Sequence, residues 1–484
     1  MRGTARASIV EAKQSCVQMC RRAPARRRCR TGEHVVTRST SEADDAVRDA
    51  IDRRDVLRGL AGALAGAAVT VSTSPGPAHA SSALASPALA QVRPRVVVIG
   101  GGAGGATAAK YLVAGGADLD VTLIEANRTY VTPFTSNLFL GGLKPFEQLE
   151  YGYDNLAGRG VRLVFQRVTE IERSARMVRL ADGSRIPYDR LILSPGIDFR
   201  WTALPGWSEA AAETMPHAWT GGAQFRLLKR QLDAVPDGGL IVVVAPPAPY
   251  RCPPAPYERA SMMALALKRR GVQGARIVIL DAKDHFAMQP LFEDGWARHY
   301  PGVIEWQDPQ MHGGIKAIDP KAMTVTTDLE VHKAALVNVI PPQVAGRLGR
   351  DAGLTDETGW CPVDAGTMAS RIDPNIHVIG DAAIGGDFPK SGFAANNEAK
   401  NTAMIVRHDL VGGRLLPVRF TNHCWSTIAP DDAIKNGARY EPRDGKIVML
   451  DPYTSQRDET PELREKQARE AVGWYRGMTT DIFG

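Results

Sequence analysis

The stretch VVVIGGGAGGATAAKYL, residues 96–112, joins a run of apolar residues to a helical segment through a glycine-rich turn. Gly100, Gly102 and Gly105 form the pattern G-x-G-x-x-G directly after the apolar run, and Glu125 ends the next apolar run. A turn of this kind lets a pyrophosphate approach the backbone at a helix N-terminus, and the acid binds ribose hydroxyls. Because all these parts occur in register, the sequence predicts a dinucleotide-binding domain here.

Two later segments extend this pattern. YDRLILSPGI, residues 188–197, is typical of a buried strand that ends in Pro-Gly, and NIHVIGDAA, residues 375–383, is a strand that runs into Gly380 and Asp381. The arrangement resembles the two-dinucleotide-domain flavoproteins, in which the chain leaves the FAD domain after the first segment and returns at the second. The resemblance implies that Gly380 and Asp381 bind the cofactor, and that this cofactor is FAD rather than NAD.

The sequence between these segments predicts a second domain of the same type with an altered turn. The runs LIVVVA, residues 240–245, and RIVILD, residues 276–281, flank a helical segment, as in a nicotinamide-binding domain. The turn after the first run reads PPAPYRCPP, residues 246–254, and has no glycine. Proline lacks the N–H donor and fixes φ near about −65°, so this turn is unsuited to a pyrophosphate. We expect a degenerate NAD-like domain that carries Cys252.

The sequence therefore predicts an α/β protein with two Rossmann-like dinucleotide-binding domains and a smaller C-terminal capping domain. In chain order we expect the first part of the FAD-binding domain, the degenerate NAD-like domain, the second part of the FAD-binding domain and the capping domain. The predicted boundaries are residues 91–204, 205–345, 346–420 and 421–484. No spacing of Cys and His residues indicates a zinc site, so no metal is expected.

The first 90 residues are typical of an export leader. Arg53 and Arg54 precede a weakly apolar stretch, residues 59–71, and the small-residue sequence Ala-His-Ala follows at residues 78–80. The apolar stretch is shorter than the ~20 residues that span a bilayer, so it indicates a twin-arginine signal that is removed. We expect a periplasmic mature protein that begins between residues 81 and 91 and has no integral membrane segment.

Charge argues against one class of partner. Lys and Arg number 59 against 53 Asp and Glu, and the whole excess lies in the basic leader. The body of the chain is therefore neutral, and no nucleic-acid partner is expected. Removal of the leader would leave three of the six cysteines, namely Cys252, Cys361 and Cys424.

Two of these cysteines occupy positions that suit redox chemistry. Cys252 follows a strand of the NAD-like domain, at the edge where doubly wound sheets bind ligands. Cys361 precedes the strand that leads to Asp381. Spacing alone leaves two interpretations open: a redox disulfide beside the flavin, or two unrelated buried cysteines. Cys424 lies in an apolar and aromatic phrase and is interpreted as structural.

Four phrases resemble the flavoprotein subunit of flavocytochrome c sulfide dehydrogenase: PYRCPPAPYERAS, GWCPVD, PKSGFAANNEAKN and HCWSTIAP. The similarity runs from about residue 95 to the C-terminus. The resemblance implies that Cys252 and Cys361 form a redox disulfide above the flavin and that Glu258 handles protons there. It also implies oxidation of sulfide to elemental sulfur or polysulfide. Electrons would pass to a c-type cytochrome subunit in a heterodimer, since the chain itself has no C-x-x-C-H motif for haem.

Two further positions bear on the cofactor. Lys390 and the N-terminus of the helix that begins near Ser391 are placed to stabilise negative charge on reduced flavin. In well-known members of the family, a cysteine in the loop after the first acid attaches FAD covalently. Pro133 stands at that position, in TPFTSN, residues 132–137. Proline cannot form a thioether, so we expect noncovalent FAD.

Three alternatives share parts of this pattern. A sulfide:quinone oxidoreductase has the same fold, FAD and thiols, but needs an apolar or amphipathic pair of C-terminal helices. Residues 460–484 hold too few apolar positions for such a pair. An NADH-oxidising flavoprotein is disfavoured by the proline turn. A non-catalytic electron-transfer subunit with structural FAD is disfavoured by the paired cysteines.

Overall fold

A computed structural model describes residues 92–484. The predicted export leader, with Cys16, Cys20 and Cys29, lies outside the described residues. The strands and helices below all belong to the unit Leu89–Gly484.

The chain enters the first domain through β1 (Arg95–Ile99), and the glycine turn leads into α1 (Ala103–Ala114). Four of the five residues of β1 are buried, as expected for a parallel strand covered on both faces. The elements that follow are β2 (Asp120–Glu125), β3 (Tyr130–Val131), α2 (Asn137–Leu140), β4 (Glu150–Tyr151), α3 (Asp154–Gly158), β5 (Arg162–Phe165), β6 (Val168–Glu172), β7 (Met177–Leu180), β8 (Arg185–Pro187), β9 (Arg190–Leu193) and β10 (Ile197–Phe199).

The second domain repeats the strand–helix–strand plan. Its elements are α4 (Gly222–Asp233), β11 (Leu240–Ala245), α5 (Ala255–Arg270), β12 (Arg276–Asp281), α6 (Gln289–His299), β13 (Ile304–Gln307), α7 (Pro309–His312), β14 (Ile315–Asp319), β15 (Thr324–Thr327), β16 (Val331–Lys333) and β17 (Leu336–Val339). A four-stranded parallel sheet has the order β13-β12-β11-β17, and β14, β15 and β16 form a separate antiparallel sheet.

The chain then returns to the first domain. The returning elements are β18 (Gln343–Ala345), α8 (Arg347–Asp351), β19 (Cys361–Pro362), β20 (Ile376–Val378), β21 (Ala383–Ile384) and α9 (Gly392–Val411). Strands β10 and β18 pair antiparallel where the chain leaves and re-enters. The parallel sheet of the first domain has the order β20-β9-β1-β2-β5, so both parts of the chain build it.

The C-terminal region consists of β22 (Phe420–Ala429), β23 (Asp432–Arg443), β24 (Lys446–Thr454) and α10 (Pro461–Phe483). The three strands form one antiparallel sheet in sequence order. Strand β22 contacts both α5 of the second domain and α9 of the first. The fold class is therefore confirmed: an α/β protein with two Rossmann-like domains and a smaller C-terminal domain.

The length and the hydropathy of a helix decide whether it can cross a membrane. Within residues 92–484, no helix combines the length and the apolar character needed to cross a membrane.

Candidate active site

The glycine turn excludes side chains at two points. Gly100 has a φ of +94°, and a Cβ atom there would lie 2.2 Å from the carbonyl oxygen of Ser194. A Cβ atom on Gly105 would lie 1.8 Å from the carbonyl oxygen of Gly100, so α1 packs directly against the turn. The turn thus keeps its backbone bare at the N-terminus of α1, where a phosphate binds best.

This turn opens onto a cleft between the turn, β2 and the start of α9, called the dinucleotide cleft below. Five of the predicted FAD-binding residues line it: Gly100, Gly102, Glu125, Gly380 and Asp381. Gly105 does not line the cleft, and its lack of a side chain lets α1 pack against the turn. Glu125 Oε2 accepts the main-chain N–H of Gly101 at 2.7 Å, and its Oε1 accepts that of Asn127 at 2.9 Å. The acid therefore stands beside the turn, as the motif requires.

Unpaired polar atoms in this cleft test whether it fits FAD. Asp381 Oδ1 and the indole Nε1 of Trp219 are buried and have no hydrogen-bond partner within residues 92–484. Both residues line the cleft. Buried polar atoms in native proteins are nearly always paired, so these two await partners from a ligand with donors and acceptors. The bare turn, Glu125 and the unpaired Asp381 oxygen fit FAD.

The second domain has filled the corresponding place with its own side chains. Asp281 ends β12, where a nicotinamide-binding domain has its ribose-binding acid. Its Oδ2 accepts the Tyr257 hydroxyl at 2.5 Å and the Trp306 indole N–H at 2.9 Å, and its Oδ1 accepts Lys283 Nζ at 2.5 Å. The Tyr257 ring stacks on Phe286 with a centroid distance of 3.6 Å. The Asp281 carboxylate is therefore already bound by side chains of its own domain.

Cys252 lies in the proline turn, two residues before the N-cap of α5. Its φ of +57° is in the left-handed region, which is unusual for a residue other than glycine. The main-chain N–H of Cys252 donates to the carbonyl oxygen of Lys390 at 2.8 Å, and its own carbonyl oxygen accepts the N–H of Ala255 at 2.9 Å. Contacts on both sides hold the residue in this conformation.

A second cysteine reaches the same place from the C-terminal sheet. Cys252, Cys424 and Glu258 line one cavity, called the cysteine cavity below, together with several aromatic residues: Phe134, Trp219, Phe393, Trp425, Trp474 and Tyr475. Glu258 Oε1 accepts the main-chain N–H of Thr427 at 2.9 Å, and its Oε2 accepts Asn137 Nδ2 at 2.8 Å. The cavity thus joins two thiols and one carboxyl group.

Burial controls the ionisation of all three groups. Burial raises the pKa of Glu258, against the two hydrogen bonds that lower it. Burial raises the pKa of Cys252 well above its ordinary value, and the nearby Cys424 and Glu258 add to the rise. Burial also raises the pKa of Cys424, but its hydrogen bonds with Asn422 and Ser391 act in the opposite direction. Burial therefore favours the protonated form of Glu258, as suits a proton donor.

Cys361, the predicted partner of Cys252, does not line the cysteine cavity. It is fully buried in the core of the first domain, where β19 pairs with β21. A Cβ atom on Gly349 would lie 3.0 Å from the sulfur of Cys361. Cys361 lines neither the cysteine cavity nor the dinucleotide cleft. The pairing of Cys252 with Cys361 stays a prediction. Lys390 lies near both residues, since its carbonyl oxygen accepts the N–H of Cys252 and its charge lowers the pKa of Cys361 against the effect of burial. Cys424 is a further thiol that lines the cysteine cavity.

Lys390, the predicted partner of the reduced flavin, is buried and does not line the dinucleotide cleft. Its Nζ donates to the carbonyl oxygen of Ala383 at 2.6 Å and lies 3.9 Å from the centre of the Trp360 ring. Burial lowers its pKa to about 8. Its carbonyl oxygen, by contrast, holds the N–H of Cys252, so its observed contact with the site is through the main chain.

The dinucleotide cleft and the cysteine cavity share walls. Pro133, Phe134, Trp219, Arg251, Ser391 and Gly392 line both. Cys252 and Cys424 also line a separate groove between the proline turn and β23 and β24. The two thiols therefore line both the cysteine cavity and a second groove. Pro133, at the position predicted to lack the covalent attachment, lies on the shared wall.

These features define a flavoprotein oxidoreductase with two dinucleotide-binding domains. Comparison with known proteins agrees with this class, since residues 94–235 match the family of pyridine nucleotide-disulphide oxidoreductases. Residues 225–341 match the central domain of the sulfide dehydrogenase (flavocytochrome c) flavoprotein chain, and residues 417–483 match the flavin-binding domain of flavocytochrome c sulphide dehydrogenase. The chain belongs to the family of flavocytochrome c sulfide dehydrogenase flavoprotein chains.

The names of two curated relatives describe them as acting with quinones. The mitochondrial sulfide:quinone oxidoreductase of Mus musculus is 22% identical over 311 residues, which make up 62% of this chain and 67% of that protein. The sulfide-quinone reductase of Aquifex aeolicus is 30% identical over 181 residues, which make up 37% of this chain and 40% of that protein.

Solved structures show the same fold. The sulfide:quinone oxidoreductase from Aquifex aeolicus superposes with a TM-score of 0.65 at 19% identity, over 80% of this chain and 92% of that one. A NAD-dependent persulfide reductase from A. fulgidus superposes with a TM-score of 0.54 at 17% identity, over 78% of this chain and 77% of that one.

Proposed function

We propose that this protein oxidises sulfide at a redox pair formed by Cys252 and Cys361, with FAD in the dinucleotide cleft as the first electron acceptor. One observation carries the proposal: Cys252 and Glu258 line a cavity that shares walls with the cleft holding the glycine turn and Asp381, and Lys390 lies near both thiols, through its carbonyl oxygen at Cys252 and its charge at Cys361. The family match and the relatives that act on sulfide support the choice of substrate.

The chemistry begins with the oxidised pair. Hydrosulfide attacks one sulfur of the Cys252–Cys361 disulfide, a new S–S bond forms, and the bond between the cysteines breaks. One cysteine then carries a persulfide and the other leaves as a thiolate with the electron pair. FAD bound in the cleft would take up the two electrons. Sulfur leaves as elemental sulfur or polysulfide, and Glu258, whose pKa is raised by burial, is placed to hold or release a proton beside Cys252.

The filled ribose site of the second domain supports sulfide over a nicotinamide substrate. Asp281 is engaged by Tyr257, Trp306 and Lys283, and the turn beside it has prolines in place of glycines. A nicotinamide nucleotide would have to displace these side chains to reach the carboxylate. The proline turn instead presents Cys252 at the edge of the sheet.

We propose a c-type cytochrome subunit as the final acceptor, bound in a heterodimer. The family to which the chain belongs is named for a flavocytochrome c, and the chain has no C-x-x-C-H motif to hold haem itself. We further propose that the protein acts in the periplasm after twin-arginine export, on the strength of Arg53, Arg54 and the apolar stretch that follows.

We propose noncovalent FAD because proline occupies the attachment position and none of Cys252, Cys361 and Cys424 lines the dinucleotide cleft. Acid precipitation of the purified protein tests this proposal. The flavin absorbance should stay in the supernatant, and yellow colour that remains with the denatured protein would show a covalent bond.

The decisive experiment is an anaerobic sulfide titration followed through the flavin absorbance. Sulfide should bleach the parent protein, whereas Cys252→Ser and Cys361→Ser should keep their flavin and lose the bleaching by more than ~100-fold in rate, because no disulfide can form. Cys424→Ser is the matched control and should bleach like the parent. Loss of bleaching there instead of in Cys361→Ser would assign the pair to Cys252 and Cys424, which line one cavity. Unchanged bleaching in Cys252→Ser would refute the proposal.

A second measurement on the sulfide-reduced protein tests the final electron acceptor. Protein reduced by sulfide should be reoxidised by a c-type cytochrome faster than by a soluble quinone analogue. Faster reoxidation by the quinone would instead favour the sulfide:quinone alternative. NADH in place of sulfide should leave the flavin oxidised, and bleaching by NADH would show that the second domain still binds a nicotinamide nucleotide.

A further inference from the structure

A buried arginine, Arg259, stands beside Glu258 in the wall of the cysteine cavity. Only 2% of Arg259 is exposed. Its Nε donates to Asn137 Oδ1 at 3.1 Å, and its two Nη atoms donate to Asn338 Oδ1 at 3.1 Å and to the carbonyl oxygens of His217 at 3.0 Å and Ala218 at 2.6 Å. All four acceptors are neutral oxygens, although a buried charge in a protein usually has a partner of opposite charge. The positive charge of Arg259 is therefore available to the cavity.

Asn137 links this arginine to Glu258. Its Oδ1 accepts from Arg259, and its Nδ2 donates to Glu258 Oε2 at 2.8 Å and to the carbonyl oxygen of Ala255 at 3.1 Å. A guanidinium group has only donors, so Arg259 determines that the oxygen of the amide faces it. The nitrogen of the amide is thereby left to face Glu258. Asn137 is buried, which reduces screening by water.

Donors from two elements meet at the carboxyl group of Glu258. Oε2 accepts from Asn137 on α2, and Oε1 accepts the main-chain N–H of Thr427 on β22 at 2.9 Å. Hydrogen bonds in series polarise one another, and donors stabilise a carboxylate more than a protonated acid. Burial raises the pKa of Glu258, whereas both hydrogen bonds and the charge of Arg259 lower it. The contacts of Glu258 thus oppose the effect of burial.

Arg259 is the cation that acts on Glu258 among the groups around it. The other titratable groups that line the cavity are Lys144, Arg251, Cys252, Cys424 and Tyr475. Arg251 is engaged by Asp381 and by the carbonyl oxygen of Trp219. Burial lowers the pKa of Arg259 to about 9, so its guanidinium group stays charged at neutral pH.

We infer that Arg259 and Asn137 are positioning residues that stabilise the carboxylate of Glu258, so that this acid can release a proton as well as hold one. The inference rests on the proposed function in taking Glu258 as the acid of the site. When Glu258 gives its proton to a thiolate of Cys252, a thiol forms and the negative charge moves to the carboxylate. The charge of Arg259, passed on through Asn137, then balances the carboxylate in its buried place.

An infrared titration measures the protonation of Glu258 directly. The full protein with its flavin is titrated with acid and base, and the C=O band of the protonated carboxyl group is followed. The band that is missing in Glu258→Gln belongs to Glu258. The pH at which half of this band is lost is the midpoint for Glu258, and it needs no turnover.

Variants test the two positioning residues. In Asn137→Leu the midpoint should rise by about one to two pH units, because the carboxylate loses one donor and its link to the arginine. Arg259→Met should raise it as well, and Arg259→Lys, which keeps the positive charge, should return it toward the parent value. The pH profile of flavin bleaching by sulfide should move in the same direction. An unchanged midpoint in Asn137→Leu overturns the inference, whether or not Arg259→Met folds.

Asn396→Leu is the matched control for loss of a buried asparagine. Asn396 lies on α9, donates to Thr107 Oγ1 at 2.9 Å and to Asp481 Oδ2 at 2.8 Å, and does not line the cysteine cavity. This variant should lose stability and keep the midpoint of Glu258, and an equal rise here also overturns the inference.

Failure of the inference is distinct from failure of the proposed function. If bleaching still requires Cys252 and Cys361 but the midpoint does not move in Asn137→Leu, only the role of Arg259 and Asn137 is wrong. If Cys252→Ser bleaches like the parent, the proposed function is wrong, and the infrared midpoint still reports whether the two residues stabilise the carboxylate.

Discussion

The two Rossmann-like domains of this chain share one architecture and differ at the same two points. The first domain has a glycine turn, and Glu125 beside it is engaged by main-chain N–H groups and the adjacent Asn127. The second domain has a proline turn, and Asp281 is buried and engaged by side chains of its own domain. The strands and helices are therefore insufficient to decide what a domain of this type binds.

What decides the ligand is the backbone of the turn and the freedom of the acid that follows it. A turn with bare N–H groups and an available carboxylate binds a dinucleotide. A turn in which prolines remove N–H donors frees the same edge of the sheet for a different group, and here that group is Cys252. One fold can thus present a cofactor in one copy and a thiol in the other.

The largest effect is expected from a single methyl group in the first domain. In Gly105→Ala the new Cβ atom would lie 1.8 Å from the carbonyl oxygen of Gly100, so α1 must move away from the turn. We expect flavin content to fall by more than ~10-fold, because the helix N-terminus leaves the pyrophosphate position. The ratio of flavin to protein absorbance after purification measures the effect.

Gly477→Ala on α10 is the matched control for this substitution. A Cβ atom there meets nothing within 4 Å, so the same change should keep the flavin and stabilise the helix by ~0.5–1 kcal/mol. Normal flavin content in Gly105→Ala would show that close packing of α1 on the turn is not needed.

The next effect distinguishes the two acids. Asp281→Asn should lower the free energy of unfolding by ~3 kcal/mol, because Lys283 loses its buried counter-ion, while flavin content stays normal. Glu125→Gln should do the reverse, with FAD affinity lower by ~10-fold and little change in stability. Urea unfolding and flavin release on dilution measure the two quantities. Equal effects of both changes on flavin affinity would contradict the division of roles between the domains.

The smallest effect concerns pH and the first domain. Burial raises the pKa of Glu398 to about 8, and Glu398 accepts the N–H of Gly380 at 2.5 Å. The folded state thus binds a proton that the unfolded state releases near its ordinary pKa of 4.5, so stability should fall as pH rises from there to about 8. In Glu398→Gln this part of the pH dependence should vanish, an effect of ~1–3 kcal/mol.

Melting temperatures of parent and variant at about pH 5.5 and about pH 8 test this prediction. Lys390, whose pKa is lowered to about 8, contributes only at higher pH and with the opposite sign, so the two groups are separable. An equal loss of stability between these pH values in parent and variant would assign the effect to another group.

Much of the fold and part of the site were predictable from the sequence. The glycine turn, Glu125, Gly380 and Asp381 were recognised from local patterns, and the structure brings them into one cleft. The proline turn was recognised in the same way, because it depends on a few adjacent residues. The partner of Cys252 stays a prediction: Cys361 and Cys424 both lie in short apolar phrases, and nothing local distinguishes a thiol in the core from a thiol in a cavity.

The sequence by itself thus determined the backbone chemistry of the two turns, because the presence or absence of N–H donors and Cβ atoms is a property of each residue. Only the tertiary structure decided which side chains meet at the site. Strand β22 packs against α5 and α9, and this packing places Cys424 beside Cys252, Glu258 and Ser391. These residues come from three domains, and their meeting depends on how whole elements pack, which no short stretch of sequence records.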